Sequence, residues 1–238
     1  MRRKGIVLYE GPSLLNKQPI VCIATLESAN RKTGNVIQTW IIRQRVNPVH
    51  AMLNRAVASI CGDCPLSGTV CYVIEKHAPL AVYSKYKANR YPHYNWKLHK
   101  PLFEGRVIRW GAYGDPAALP LSLVRYYNGL CNGHLGYSHQ LLNGTYVNRH
   151  RADKLAKLFM VSAHNRPMAD KAYARGHRFF QTVTSPSEAH PSAIKCPSDR
   201  VQCVKCGLCN GSSGNGRSVW IEAHGFGAGK LAEVGNAS

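Results

Sequence analysis

The chain of 238 residues carries 31 Lys and Arg against 12 Asp and Glu, a formal charge of +19, together with nine cysteines. That length suits one large domain with a real core, the 45% apolar content is ordinary for a globular chain, and no apolar run approaches the ~20 residues of a membrane span. The charge makes a long-range positive field whose usual partner is nucleic acid, and twelve acids leave few for paired-carboxylate chemistry.

Met1–Gly5 is a basic tip, and nothing after it reads as a secretion signal, so a reducing, cytoplasmic setting is expected. Ile20–Thr25 and Val36–Arg43 read as strands with turn chemistry at Asn30–Asn35 between them, an N-terminal hairpin within residues 1–46. Asn47-Pro48 opens a helical segment with Met52, Leu53 and Val57 on one face. Ala78–Arg90 reads as a second helix, ending before Tyr91-Pro92. From Tyr83 to Lys100, cations alternate with aromatics and no acid intervenes. Lys85, Lys87 and Arg90 suit phosphates, and Tyr91 and Trp96 suit unpaired bases, so single-stranded or looped nucleic acid is the expected partner. The bland alternative is a solvated helix whose tyrosines pack on the core.

From Arg106 strands and helices alternate. Val107–Trp110 is a strand, Gly111–Pro116 a loop, Ala117–Asn128 a helix and His134–Ser138 a strand. Arg149–Lys157 is a basic helix, Leu158–Ala163 a strand, Pro167–Arg175 a helix, and Phe179–Thr184 and Val219–Ala223 are strands. The expectation is one α/β domain over residues 1–222, its parallel strand–helix repeats forming an open sheet or partial (β/α) barrel, with residues 223–238 as a flexible tail. Chemistry in such sheets sits at the carboxyl ends of the strands, where the Gly111–Pro116 loop falls.

Seven of the nine cysteines fall into two compact sets. Cys61, Cys64 and Cys71 have the spacing C-x2-C-x6-C, and Cys196, Cys203, Cys206 and Cys209 have C-x6-C-x2-C-x2-C. Such clustering in a reducing compartment reads as metal ligation through residues 60–72 and 196–209. Neither set is the simple pair of knuckles usual in zinc ribbons, so iron–sulfur, of the [4Fe–4S] type, is favoured and zinc is the alternative. Cys22 reads as a core residue, and Cys131 as either core or a fourth ligand of the first set. The histidines at 134, 139, 150, 164 and 224 read as hydrogen-bonded core or rim residues, and the glycine-rich loop after Asn210 lacks the Lys-Ser/Thr of a P-loop.

A three-cysteine loop ending in Cys71-Tyr72, followed by a strand and Gly111-Ala112-Tyr113-Gly114-Asp115-Pro116, resembles radical S-adenosylmethionine (radical-SAM) enzymes. The resemblance implies that Cys61, Cys64 and Cys71 hold a [4Fe–4S] cluster and that Gly111, Gly114 and Asp115 face S-adenosylmethionine. It also implies that the late cysteines hold an auxiliary group. The spacing differs from the family's C-x3-C-x2-C, and Asp115 stands where the family has glutamate. The same features, with Ala223-His224-Gly225, are similar to an uncharacterised phage-encoded family, which implies the cytoplasm of a host cell. Two functions follow as expectations: an iron–sulfur enzyme acting on or binding nucleic acid, or a basic nucleic-acid-binding protein with structural metal sites.

Overall fold

The computed structural model describes residues 5–28, 30–68, 70–142, 145–211, 216–224 and 228–231. Aliphatic and β-branched runs give the strands Gly5–Pro12 (β1), Pro19–Thr25 (β2), Ile37–Arg43 (β3), Val107–Tyr113 (β4), Gly133–Leu135 (β5) and Tyr137–Ser138 (β6). Met160–Ala163 (β7), Phe179–Val183 (β8), Ile194–Lys195 (β9) and Val219–Glu222 (β10) complete them. The helices of the first half are Pro48–Leu53 (α1), Ala58–Cys61 (α2), Ala78–Lys87 (α3) and Trp96–His99 (α4). Those of the second half are Leu121–Leu130 (α5), Arg149–Ala156 (α6), Arg166–Ala174 (α7) and Cys203–Cys206 (α8). Among the described residues no helix is long and apolar enough to cross a membrane.

The architecture is α/β with one mixed and one parallel sheet. In the first, ordered β1-β2-β3-β4-β5, the expected hairpin pairs β2 and β3 antiparallel, and β3, β4 and β5 run parallel. The second, ordered β6-β7-β8-β10-β9, is parallel throughout. Only Gly136 separates β5 from β6, so a single stretch of chain belongs to both sheets. Its N–H donates to the Cys209 carbonyl and its carbonyl accepts from Met160. A Cβ at Gly136 would lie 2.9 Å from the Phe159 ring and 3.2 Å from Trp110, so only glycine fits this junction. No closed barrel forms: among the described residues no pairing joins β1 to β9.

Several boundaries differ from expectation, for identifiable reasons. β1 extends the hairpin to three strands, and its edge is partly covered where Val7 exchanges backbone bonds with Pro92 and Tyr94. The expected helix from Ala117 is interrupted because Pro120 disfavours a helical residue before it. Pro116–Ala118 forms a single 3-10 turn and α5 starts at Leu121. Leu53 is 74% exposed, because α1 turns Pro48 and Ala51 inward. In α5 it is Val124 and Tyr127 that face the core. Of the expected tail, residues 223–224 and Ala228–Leu231 are described, Ala223 donating its N–H to Val183 and Leu231 being buried; residues 225–227 and 232–238 lie outside the described residues, as do 212–215 of the glycine-rich loop.

The β3–β4 register shifts between Gln38/Arg109 and Trp40/Tyr113, a bulge that lets β4 continue to Tyr113. Buried Thr39 fills it, its hydroxyl donating to the Arg109 carbonyl and accepting from the Gly111 N–H. Gly114 follows at φ 79°, where a Cβ would sit 2.6 Å from the Ile41 carbonyl oxygen. Replacing Gly114 by Ala is therefore expected to cost at least about 2 kcal/mol in urea unfolding. Gly105→Ala, at a similar φ of 72° but in open space, is expected to cost about 1 kcal/mol. Equal costs at the two sites would show that contact with β3 adds nothing.

Candidate metal centre and cavity

A cavity of about 270 Å³ opens on the inner face of the parallel strands, toward their carboxyl ends. Alternation along each strand builds it: Arg109, Gly111 and Tyr113 from β4, Tyr137 and His139 at β6, Phe180 and Thr182 from β8, and Ile221 and Ala223 at β10. Both cysteine sets face it, the early one through Cys61, Cys64 and Cys71 and the late one through Cys196, Cys203 and Cys209.

The early set is held by backbone bonds on both sides. Cys61 closes α2, its N–H donating to Val57, and Cys64 and Cys71 donate to Cys61 and Leu66 respectively. Gly62 then turns the chain at φ 60°, pressed against the Gln140 side chain, whose amide donates to the Cys61 carbonyl. Burial, then the neighbouring Cys64 and Cys71, push the Cys61 thiol well up. Burial raises Cys64 to about 12 and also raises Cys71. The three thiols are therefore protonated at neutral pH unless a cation lies beside them. Cys131 stands apart, beside Arg106 where β4 and β5 begin, and burial pushes it to about 11. Cys22 lies in the core.

The late set is anchored at separate points. Cys196 donates its N–H to Trp220 of β10, the Cys209 carbonyl accepts from Gly136, and Cys203 donates to Lys32 at the hairpin tip. The tip also accepts from Val204 and from the Gln202 amide, tying the N-terminal hairpin to α8. Arg178 organises the exit from the set, donating to the carbonyls of Leu208, Gly211 and Arg217 and to the Asn210 side chain. Burial, then Cys196, Cys203 and Cys206, raise the Cys209 thiol, so the four sulfurs are electrostatic neighbours. All nine cysteines are free thiols, and among the described residues no three His, Cys, Asp or Glu side chains are placed to hold a single metal ion.

Asp115 lines the cavity near-buried, yet its carboxylate is engaged. Oδ1 accepts from the Ala117 N–H and Oδ2 from the His139 N–H, both at 2.9 Å, and its own N–H donates to Ile60. Gly111 and Gly114 line the cavity with backbone, and their positive φ serves the turn itself. Sequence reasoning passed over Arg109 and Ser162 and read His139 as a core or rim residue; His139 Nε2 and Ser162 Oγ lie 3.0 Å apart. His139 Nδ1 and both ring nitrogens of neighbouring His164 are buried without hydrogen-bond partners. Their positions after β6 and at β7, the carboxyl ends of predicted strands, were the available signal.

The basic patch lies elsewhere, and none of its singled-out residues lines the cavity. Lys85, Lys87 and Arg90 are exposed and Trp96 is 62% exposed. Tyr91 is buried, its ring against Gly5, and Tyr94 packs edge-on against Phe103 and Tyr127. Compared with known proteins, the chain matches no family model, and no curated protein or solved structure is significantly similar to it.

Two cavity groups titrate in opposite senses. Burial, then His164, hold His139 down to about 4 from 6.5. Its contribution to stability is therefore complete above pH ~6.5 and is lost as pH falls toward ~4. Burial pushes Asp115 up to about 6, so its ionisation works against the fold as pH rises from ~4 to ~6. The two largely offset each other in the native chain. Replacing His139 by Gln is expected to remove one side, so that the variant's deficit in urea unfolding shrinks by roughly 2–3 kcal/mol between pH 7 and pH 4. Parallel pH profiles for the two proteins would show that His139 is freely protonated in the fold.

Proposed function

We propose that the cavity is the active site of an iron–sulfur enzyme resembling the radical-SAM class. In this reading Cys61, Cys64 and Cys71 hold a [4Fe–4S] cluster, and Cys196, Cys203, Cys206 and Cys209 hold a second metal group. One observation carries it: two cysteine sets remote in sequence and the Gly111–Asp115 loop line the same cavity on the inner face of parallel strands. The run β3-β4-β5/β6-β7-β8-β10, parallel but unclosed, supports a partial barrel. With Cys22 in the core and Cys131 at the far ends of the strands, three cysteines remain for the early set, which suits a cluster with one position open to a small molecule. A zinc ion at about 2.3 Å from each sulfur needs its ligands drawn tightly together. A multi-iron cluster spaces its ligands more widely, and three cysteines close in sequence in each set suit it.

Such a cluster, when bound, supplies one-electron transfer. The rest falls to the chain. The apolar wall at Phe180 and Ile221 excludes water, and the Gly111–Gly114 turn offers backbone to a cosubstrate such as S-adenosylmethionine. The Asp115 carboxylate fixes that turn. Iron, sulfide and zinc counted on anaerobically purified protein test the reading. Iron with matching sulfide and broad visible absorption is expected. Changing Cys64 or Cys71 to Ala should remove part of the iron from a folded chain, whereas changing Cys203, Cys206 and Cys209 together should lower the unfolding midpoint. A colourless protein with stoichiometric zinc would leave the second reading, a basic nucleic-acid-binding protein with structural zinc.

Nucleic acid, single-stranded or looped, is the proposed macromolecular partner, and exposed Lys85, Lys87, Arg90 and Trp96 support it. On a single strand each phosphate contact contributes about −0.7 to the log–log salt slope, so changing the three cations to Gln should flatten it by about two units. Trp96→Ala should weaken binding by ~1–3 kcal/mol with the slope unchanged. Tyr91→Ala should act through stability, given its burial. Equal affinity for duplex DNA, indifferent to Trp96, would reduce the partner to diffuse attraction by the net charge.

A further inference from the structure

One cation in the cavity wall has no acidic partner. Arg109, partly buried on β4, forms no ion pair among the described residues. Its Nη1 donates to Gln38 Oε1 at 3.0 Å, and its Nη2 donates to the hydroxyls of Tyr72 at 3.1 Å and Tyr137 at 3.2 Å. The geometry is fixed from behind. Gln38 spends its amide N–H groups on Ser28 and Thr33, which commits its oxygen to Arg109. Tyr137 is stacked on Phe180 at 4.7 Å, and the guanidinium carbon lies 5.9 Å from the Tyr137 ring centroid.

The hydrogen-bond inventory then becomes one-sided. A guanidinium has five N–H groups and these contacts use three, so further donors remain. Each tyrosine hydroxyl accepts from Arg109 and so keeps its own proton to give. Lys32, at the hairpin tip, lines the same cavity. Around Arg109 the wall thus presents donors and positive charge, with the sulfurs of Cys203 and Cys209 as its electrostatic neighbours. While the Cys203 and Cys209 thiols are neutral this partly buried cation has no full counter-charge, and an anion that accepts several of these bonds supplies one.

We propose that Arg109, Tyr72 and Tyr137 form an anion-binding subsite, which takes the carboxylate or phosphate of the small molecule held in the cavity. The inference rests on the cavity as a binding site and not on the identity of the metal. The aromatic floor of Tyr137 and Phe180 beside the guanidinium suits an anion carried on a flat or apolar body.

Calorimetric titration of the full chain, as purified, with inorganic phosphate and separately with acetate tests the subsite. Saturable one-site binding is expected, and the tighter of the two anions identifies the group. Arg109→Gln should weaken it about tenfold or more, the worth of one or two charge-assisted bonds. Tyr137→Phe keeps the guanidinium and the ring stack, and should weaken binding several-fold with the unfolding midpoint unchanged. If Arg109→Gln fails to fold, Tyr137→Phe decides. A variant with Arg125 and Lys154 both changed to Gln should bind like the native chain, because both are exposed and neither lines the cavity. Saturation by neither anion would overturn the proposal, as would Arg109→Gln binding like the native chain. Anion binding kept by Arg109→Gln while metal is lost from the late cysteines would also overturn it, making Arg109 the counter-cation of those sulfurs. A zinc-loaded, colourless protein that still binds phosphate through Arg109 would uphold the subsite while overturning the iron–sulfur reading.

Discussion

Asp115 is the residue on which this corner of the cavity depends. Through its own N–H it grips Ile60 beside the first cysteine, and through its two oxygens it holds Ala117 and His139. Three segments remote from one another in sequence are thereby fixed at one corner: the early cysteine loop, the turn after β4 and the turn after β6. The arrangement has a cost, since burial lifts the carboxyl to about 6. A shift of about two units is worth ~3 kcal/mol against the charged form. The value of about 6 is already net of the lowering by the bonds from Ala117, Ser138 and His139, and it leaves the carboxylate mostly ionised at neutral pH.

The opposite corner depends on Gly136 and Arg178. Gly136 is where one strand passes from the first sheet to the second, and its N–H there is spent on Cys209 instead of a ladder neighbour. Arg178, almost fully buried at the start of β8, gathers the carbonyls that follow the late set. The position of the late sulfurs is thus tied to the curvature of the sheet. The hairpin tip completes the enclosure by bonding α8 across 171 positions of sequence. A change at Gly136 would move cysteines far from it in the chain, which a reading of the C-x2-C spacing alone would not suggest.

Much of the scaffold was legible because period-2 runs and helix-stop signals are local. The alternation after Arg106, the hairpin and the ends of α6 and α7 were all readable from nearby residues. What was missed depends on distant ones. β1 was not read because Glu10, Gly11 and Pro12 cut short the apolar run Ile6–Leu8, yet all three sit on a bulged strand. β9 is two residues long and exists only through pairing with β10. Tyr91 and Tyr94 look like stacking residues in the sequence, yet Gly5, Phe103 and Tyr127 supply them with partners inside the fold. The clustering of each cysteine set was visible in its spacing; their meeting across one cavity was not, because that follows from sheet order.

The formal charge of +19 is a poor guide to the cavity itself. Exposed cations act through water and salt, and beyond ~8 Å their field is largely screened. Lys85, Lys87 and Arg90 can therefore draw a polyanion to the surface without easing the thiols of Cys61 or Cys209, whose acidity is governed by burial. Inside the wall one correctly oriented guanidinium outweighs many surface lysines, because the low local dielectric that penalises an unpaired charge also strengthens its pairing. Arg109 is in that position, held by Gln38, Tyr72 and Tyr137 between the strand face and the late cysteines. The charge is thus distributed unevenly: many cations exposed on the surface, and one enclosed guanidinium held by fixed partners in the cavity wall.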